Sequence, residues 1–134
     1  MNQRRMFLKG AAAVAAAAAV TKTNLALAAP EGWTNIIFTK ENPGIWAGRE
    51  GAHVPIISVS GRQVTIKNDH VMTAPHYIVR QTLVLADGTF VDGKVFTFRD
   101  EPVSRYQLPA GYSGTIYATS FCNLHDLWIA EAVV

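Results

Sequence analysis

Residues 54–67 read VPIISVSGRQVTIK, and this segment indicates the class of fold. Two short runs rich in β-branched residues, Val54–Val59 and Gln63–Lys67, stand on either side of the turn residues Ser60 and Gly61. Runs of this composition that are separated by a glycine turn are typical of paired antiparallel strands. Helical periodicity is almost absent from them, so we expect strands.

The same alternation of apolar runs and turn residues continues along the rest of the chain. The further predicted strands are Ile36–Thr39, His76–Leu85, Phe90–Phe98, Ser104–Leu108, Thr115–Phe121 and Leu127–Val133. About seven strands at this spacing predict an all-β domain, an immunoglobulin-like antiparallel β-sandwich that occupies residues 29–134. Sandwiches of this kind carry their functional residues on the loops at one end.

The apolar positions of these runs predict the core of the sandwich. They are Ile56, Val64, Ile66, Ile78, Leu83, Leu85, Val95, Phe98, Ile116, Ala118, Trp128 and Ile129. We interpret Tyr77 and Trp128 as packing residues.

The N-terminal segment differs in composition from the rest and predicts an export signal. Residues 2–9 read NQRRMFLK, with paired arginines, and an alanine-rich apolar run follows from Ala11 to Val20. This pattern is typical of the twin-arginine route. Residues 26–28 are small-x-small, so we predict a signal over residues 1–28, cleavage after Ala28 and a periplasmic protein. The apolar run is short for a bilayer span, so no stable span is expected after cleavage, and uncleaved tethering is the alternative.

Charge outside the predicted signal argues against one class of partner. The sequence has 12 basic and 10 acidic residues, and the segment 1–28 holds four of the basic ones and none of the acidic ones. Residues 29–134 therefore carry 8 basic and 10 acidic residues, a net charge of −2. Nucleic-acid binding requires a basic patch, so we expect no nucleic-acid partner.

All four histidines and the only cysteine lie in segments that one metal ion could use. The segments read HVPII from His53, HVMTAPHYI from His70 through His76, and FCNLHDLW around Cys122 and His125. Imidazole and thiolate bind late transition metals, and thiolate favours iron, copper or zinc. A single cysteine cannot close an internal disulfide, and its histidine neighbours favour a ligand role. The pattern predicts a mononuclear metal protein.

The number and type of donors favour iron over zinc and copper. Structural zinc prefers four tetrahedral ligands, typically with more than one sulfur. A blue-copper site has two histidines, a cysteine and a weak axial methionine, and no methionine follows Cys122. Four imidazoles and one thiolate suit ferrous iron in a square pyramid with an open sixth position.

The order of these motifs resembles the iron centre of the superoxide reductases, the desulfoferrodoxin and neelaredoxin family. HVP, then two histidines with five residues between them followed by Tyr-Ile, then C-N-x-H with Leu-Trp behind it, match over about residues 46–134. The resemblance implies one mononuclear iron, cycling between Fe2+ and Fe3+, with Cys122 as its axial sulfur. Its equatorial nitrogens would come from His53, His70, His76 and His125. The cysteine cluster of the family's second iron centre is absent, so the resemblance is to the one-iron type.

The resemblance also implies an activity and partners. Superoxide would be the substrate, reduced to hydrogen peroxide without release of dioxygen, and an external periplasmic donor would return the iron to its ferrous form. Members of the family form dimers or tetramers, which implies a homo-oligomer. We further expect the backbone N–H groups of Asn123 and Leu124 to lie near the Cys122 sulfur and tune its electron donation.

The segment before His53 departs from the family pattern. The family has a Glu-Lys pair there, whereas residues 46–53 read WAGREGAH, with the charges reversed and a longer loop. We predict that Arg49 attracts the superoxide anion and that Glu50 reaches the iron, so both are candidate catalytic residues. The alternative is a solvated loop pair. Asp126 also stands where the family usually has glycine.

These departures keep a second function open. The leading hypothesis is a periplasmic superoxide reductase-like oxidoreductase. The alternative is a non-catalytic iron protein for electron transfer or redox sensing, which the altered segment at Arg49 and Glu50 favours. A cupredoxin-like copper carrier is a third possibility, and the missing downstream methionine argues against it.

Overall fold

The structure, a computed structural model, describes residues 32–134. The predicted export signal over residues 1–28 and its cleavage site lie outside the described residues. Within residues 32–134, no helix has the length and apolar character that a membrane crossing requires.

Seven strands and two single-turn helices make up the described chain. A 3-10 turn at Gly44–Trp46 precedes the one-turn helix α1 (Glu50–His53). The strands are β1 (Ile56–Ser60), β2 (Gln63–Lys67), β3 (Ile78–Leu85), β4 (Phe90–Val95), β5 (Val103–Gln107), β6 (Thr115–Cys122) and β7 (Asp126–Val133).

The strands form two antiparallel sheets, which confirms the predicted all-β sandwich. One sheet has three strands in the order β1-β2-β5, and the other has four in the order β4-β3-β6-β7. Strands β1 and β2 pair from Ile56 with Lys67 to Ser60 with Gln63, closing the hairpin at Gly61. Gly61 has φ +58°, a left-handed conformation that glycine adopts at no steric cost.

One predicted strand is wrong. Residues 36–39 contribute a single bridge, in which Phe38 lies beside Trp128, and no regular ladder. The Phe38 backbone nevertheless exchanges hydrogen bonds with β7, because its N–H donates to Leu127 and its carbonyl accepts from Ile129. The segment is thus attached to the edge of the four-stranded sheet without extending it.

The core follows the two-residue period of the strands. The fully enclosed apolar residues include Ile57, Val64, Ile66, Ile78, Leu83, Ile116, Ala118 and Trp128. Four core predictions are corrected: Ile56 and Ile129 are half-buried, and Val95 and Phe98 are exposed. In β1 the inward positions are Ile57 and Val59, so Ile56 faces the other way. Val95 ends an edge strand, β4, that exposes most of its residues, and Phe96 is buried instead.

Candidate metal centre

Four imidazole nitrogens form a ring at one end of the sandwich. His53 Nε2 lies 3.1 Å from His70 Nε2 and 3.1 Å from His125 Nδ1. His76 Nε2 closes the ring, at 3.1 Å from each of the same two nitrogens. The structure thus brings together all four predicted histidines, three through Nε2 and His125 through Nδ1.

Hydrogen bonds to the backbone fix the tautomers of two of these rings. His53 Nδ1 lies 2.8 Å from the Arg49 carbonyl, and His70 Nδ1 lies 2.5 Å from the Val71 carbonyl. A carbonyl only accepts, so both Nδ1 atoms carry the proton and both Nε2 atoms present lone pairs. Two lone pairs that face each other across 3.1 Å repel, and a cation between them removes that repulsion.

The Cys122 thiol lies beside the nitrogen ring. Its Sγ is 3.6 Å from His70 Nε2 and 3.6 Å from His125 Nδ1, and the residue is fully buried. Sγ, together with one nitrogen each of His53, His70 and His76, forms a group whose atoms all lie within 4.8 Å of one another. His125 Nδ1 lies outside this group of four but contacts three of its atoms, so it is a fifth candidate donor.

The dimensions of the ring suit a metal ion. In a square with sides of 3.1 Å, the centre is 3.1 Å divided by √2 from each corner. That distance is about 2.2 Å, close to the roughly 2.0–2.1 Å of a zinc–imidazole bond. Five donors of which one is a thiolate exceed the tetrahedral set of structural zinc and suit a transition metal that accepts more ligands, such as iron.

The protonation states of the donors also suit a cation. Burial lowers the pKa of His53 to about 4, with the backbone bond to Arg49 opposing and the neighbouring histidines adding to the effect. Burial likewise lowers the pKa values of His70 and His125. These rings are neutral at pH 7. Burial raises the pKa of the Cys122 thiol, so a bound cation is what favours the thiolate.

Two backbone N–H groups donate to the Cys122 sulfur, those of Leu124 and His125. The prediction named Asn123 and Leu124, so it is right for Leu124 and wrong for Asn123. The Asn123 N–H instead donates to the Tyr77 carbonyl over 3.2 Å. The turn at residues 123–125 directs the two later N–H groups towards the sulfur, a feature that sequence spacing alone does not reveal.

The Asn123 side chain holds the loop that carries His76. Its Oδ1 accepts a hydrogen bond from the Tyr77 N–H at 2.9 Å, and its Nδ2 donates to the Pro75 carbonyl at 3.0 Å. These contacts flank His76 on both sides. On the other side of the loop, Thr73 and His76 exchange two backbone hydrogen bonds of 3.0 Å. The asparagine of the C-N-x-H motif thus positions a histidine from a different segment.

The ligand segments converge because they all lie at strand ends. His53 ends α1 just before β1, and Cys122 ends β6. His70 follows β2, His76 precedes β3, and His125 lies in the turn between β6 and β7. Because neighbouring strands are antiparallel, these strand ends lie together at one end of the sandwich. This agrees with the expectation that function lies on loops at one end.

Arg49 and Glu50 lie at the start of α1. Arg49 is exposed. Burial is the larger cause of the lowered pKa of His125, and the positive charge of Arg49 is the second cause. The Glu50 carboxylate accepts a hydrogen bond from the Gly48 N–H at 2.9 Å. Glu50 also lines a cavity of about 220 Å³ together with Lys40. The positive charge of Arg49 therefore acts on the His125 imidazole, whereas the Glu50 carboxylate forms its hydrogen bond with a loop amide.

Trp46 is a residue of the site that sequence reasoning missed. Its ring meets the His125 ring edge-on, with centroids 4.7 Å apart and planes at 90°. Trp128, interpreted as a packing residue, is fully buried, and its indole donates to the His125 carbonyl at 2.8 Å. The signal in the sequence that could have identified Trp46 is its position at the start of residues 46–53, the segment that departs from the family pattern.

Comparison with known proteins agrees with this geometry. The family model described as desulfoferrodoxin matches residues 46–131. A putative superoxide reductase from Archaeoglobus fulgidus is 37% identical over 62 residues, which cover 43% of this chain. The matched segment spans 47%, about half, of the length of that relative.

Solved structures show the same fold. A variant of the superoxide reductase (neelaredoxin) from Ignicoccus hospitalis has a TM-score of 0.66 at 24% identity, over 78% of this chain and 97% of that one. The superoxide reductase (1Fe-SOR) from Giardia intestinalis has a TM-score of 0.56 at 25% identity, over 62% of this chain and 98% of that one. With the family match over residues 46–131, which include all five donors, the chain belongs to the desulfoferrodoxin family.

Proposed function

We propose that this protein is a superoxide reductase with one mononuclear iron. His53, His70, His76 and His125 would hold the iron through their ring nitrogens, and Cys122 through its sulfur. The observation that supports this most strongly is the ring of four imidazole nitrogens at 3.1 Å spacing with Sγ at 3.6 Å from two of them. Iron is the metal of this family, and its chemistry suits imidazole and thiolate donors.

The bound iron would supply one electron, which with two protons converts superoxide to hydrogen peroxide. The chain's own residues prepare the site for the iron cation. Three of the rings are neutral at pH 7, because burial holds the pKa values of His53, His70 and His125 down. The N–H groups of Leu124 and His125 hold the Cys122 sulfur in place and stabilise its negative charge.

Arg49 would attract the substrate. Its guanidinium is exposed, and its positive charge acts on His125 and Cys122, where the negative charge of Asp126 opposes it. Positive charge near a site raises the rate of encounter with a small anion. Guanidinium stays charged at all accessible pH values, so the protons of the product come from water and not from Arg49.

The second candidate function is electron transfer or redox sensing at the same iron. The contact between the Glu50 carboxylate and the Gly48 N–H favours it, because that contact holds one oxygen of the carboxylate expected to reach the metal on a loop amide. Both functions need an external electron donor. Export to the periplasm is part of the proposal and is supported by the sequence pattern around Arg4 and Arg5.

The test is pulse radiolysis of the ferrous-loaded protein, with optical detection of iron oxidation and assays for peroxide and dioxygen. Superoxide reduction predicts rapid oxidation, one peroxide for each iron and no dioxygen. The zinc-loaded protein is the control, because zinc has no second oxidation state to offer. Iron that binds but does not react with superoxide would contradict the reductase and support electron transfer or sensing.

A further inference from the structure

A chain of buried polar side chains begins at the first ligand segment and crosses the interior between the two sheets. We call it the Asn68 network, and its side chains are those of Asn68, Gln81, Ser104 and Ser120. All four are at most 3% exposed. Buried polar groups are costly unless each finds a partner, so such a network in a small core needs a physical reason.

The inner half of the network is fully hydrogen-bonded. Gln81 Nε2 donates to Asn68 Oδ1 at 2.9 Å and to the Pro102 carbonyl at 2.9 Å. Gln81 Oε1 accepts from the Ser104 hydroxyl at 2.5 Å. The side-chain amide of Gln81 therefore uses both of its donor hydrogens and one acceptor site. A network with its donors satisfied rigidifies the core around it.

The outer half of the network ends on a metal-ligand segment. The main-chain carbonyl of His53 accepts from the Ser120 hydroxyl at 2.7 Å and from Asn68 Nδ2 at 2.9 Å. His53 is the last residue of α1, a single turn that has no stability of its own. The final carbonyls of a helix lack hydrogen-bond partners within the helix. Here the side chains of Ser120 and Asn68 are the partners of the His53 carbonyl.

The two side chains that hold this carbonyl belong to segments that carry two other ligands. Asn68 precedes His70 by two residues, and Ser120 precedes Cys122 by two residues on β6. Residues two apart on a strand face the same side, so Ser120 and Cys122 both point into the sandwich. One carbonyl oxygen thus connects the backbone around three of the five donors, His53, His70 and Cys122.

We infer that Asn68 and Ser120 are positioning residues for the metal centre. They fix the backbone of His53 relative to the segments of His70 and Cys122, and so preset the distances among three donors. This inference rests on the proposed function, since it concerns the same iron site. Outer partners of metal ligands orient the ligands, and their loss typically lowers metal affinity by roughly 10- to 100-fold.

A purely structural role would give a different pattern. If the network served only to stabilise the core, loss of any buried hydroxyl would lower stability without a special effect on metal binding. Ser104 offers a matched control for Ser120. Both are buried serines in the same network, but only Ser120 touches the His53 carbonyl, whereas Ser104 reaches Gln81.

The experiment compares the Ser120→Ala and Ser104→Ala variants with the unchanged protein, using cobalt(II) as an air-stable probe. Affinity is measured by chelator competition, and the thiolate-to-cobalt absorption reports the geometry at Cys122. Thermal melts of the metal-free proteins measure stability separately. Ser120→Ala is expected to weaken cobalt binding by about 10- to 100-fold and to shift the absorption. Ser104→Ala is expected to do neither, although both lower the melting temperature.

Equal affinities and spectra for the two variants would overturn the positioning role and leave the proposed iron site intact. Failure of the unchanged protein to bind cobalt would instead overturn the proposed site itself. Asn68→Ala provides a second variant on the same carbonyl, with the same expected loss of affinity, if Ser120→Ala does not fold without metal.

Discussion

Trp46 donates its indole N–H to the Asp126 carboxylate over 3.0 Å, which joins the loop before α1 to the first residue of β7. Asp126 has φ +67°, a left-handed conformation that glycine adopts most readily and that aspartate tolerates. The family usually has glycine at this position, and the backbone conformation suits glycine. In this chain the same position carries a carboxylate. The carboxylate gains a partner whose ring packs edge-on against His125.

Replacing Asp126 by glycine should release Trp46 without disturbing the turn. Asp126→Gly keeps the left-handed backbone but removes the oxygen that accepts the Trp46 hydrogen bond. Asp126→Asn keeps the backbone conformation and an accepting side-chain oxygen. In Asp126→Gly we expect hydrogen exchange of the Trp46 indole to accelerate by at least about 10-fold, the equivalent of a lost hydrogen bond of roughly 1.4 kcal/mol. NMR of the indole N–H signals measures this, with Trp46→Phe identifying the peak. Equal exchange in the glycine and asparagine variants would show that the bond does not restrain Trp46.

Asn123 should matter to His76 and not to the sulfur. Asn123→Ala removes the contacts to Pro75 and Tyr77, so we expect weaker cobalt binding by about 10-fold. Because the N–H groups that reach Cys122 belong to Leu124 and His125, the thiolate absorption should stay at its energy. Thr73→Ala removes a hydroxyl contact to the His76 carbonyl, so it should likewise weaken cobalt binding and leave the absorption energy unchanged. A large spectral shift in Asn123→Ala would contradict this division of roles.

The sequence was informative about the ligands because few residue types bind a late transition metal well. With one cysteine and four histidines in motif order, there were few other candidates for the ligand set. The structure brings all five together. Strand positions followed from the two-residue period, yet the register of Ile56 and Ile57 did not, because two adjacent isoleucines fit either face. The exposure of Val95 depends on β4 being an edge strand, which is a property of the topology.

The Asn68 network shows what a sequence conceals and the signal that it leaves. Gln81 shares the two-residue period of Leu83 and Leu85, and Ser120 that of Ile116 and Ala118. The period therefore places these polar residues inside, even though their type suggests the surface. What the sequence cannot supply is the partner, since the hydrogen bond from Ser120 to His53 joins residues 67 positions apart.

The metal-free protein should lose stability as the pH falls. His53 has a pKa of about 4 in the folded state against 6.5 when unfolded, so the unfolded chain binds more protons between these values. Stability is therefore full above pH 6.5 and declines as the pH falls towards 4, by about 3 kcal/mol from this residue. Urea unfolding at several pH values measures the effect, and His53→Gln should flatten it. A curve that is level across this window would contradict a neutral, buried His53.

Cys122→Ser should abolish the thiolate-to-iron absorption of the oxidised protein. Serine keeps the shape of the side chain, but its neutral hydroxyl is a much weaker metal ligand than a thiolate, so iron affinity should also fall by at least about 10-fold. Cys122 is the only cysteine in the sequence, and no other thiolate can replace it. The spectrum of the variant after iron loading is the measurement. A band of unchanged energy and intensity would mean that its source is not the sulfur.

Arg49→Ala should slow the reaction with superoxide and reduce its dependence on salt. An exposed cation near the site steers a small anion by a long-range field, and rate gains from such fields range from roughly 10- to 1,000-fold. For a single charge we expect a loss near the lower limit, about 10-fold at low ionic strength. Stopped-flow or pulse radiolysis at several salt concentrations measures both the rate and the slope, because screening weakens the field within roughly 10 Å at 0.1 M salt.

Two further variants separate the field of Arg49 from other effects. Arg49→Lys keeps the charge and should restore most of the rate, since attraction does not depend on the guanidinium shape. Arg105→Ala removes another exposed arginine, from β5, and tests whether net charge alone is responsible. Equal losses in Arg49→Ala and Arg105→Ala would assign the effect to overall charge. An unchanged rate and salt slope in Arg49→Ala would place Arg49 among the solvated residues of the loop, and the encounter with superoxide would then depend on the metal alone.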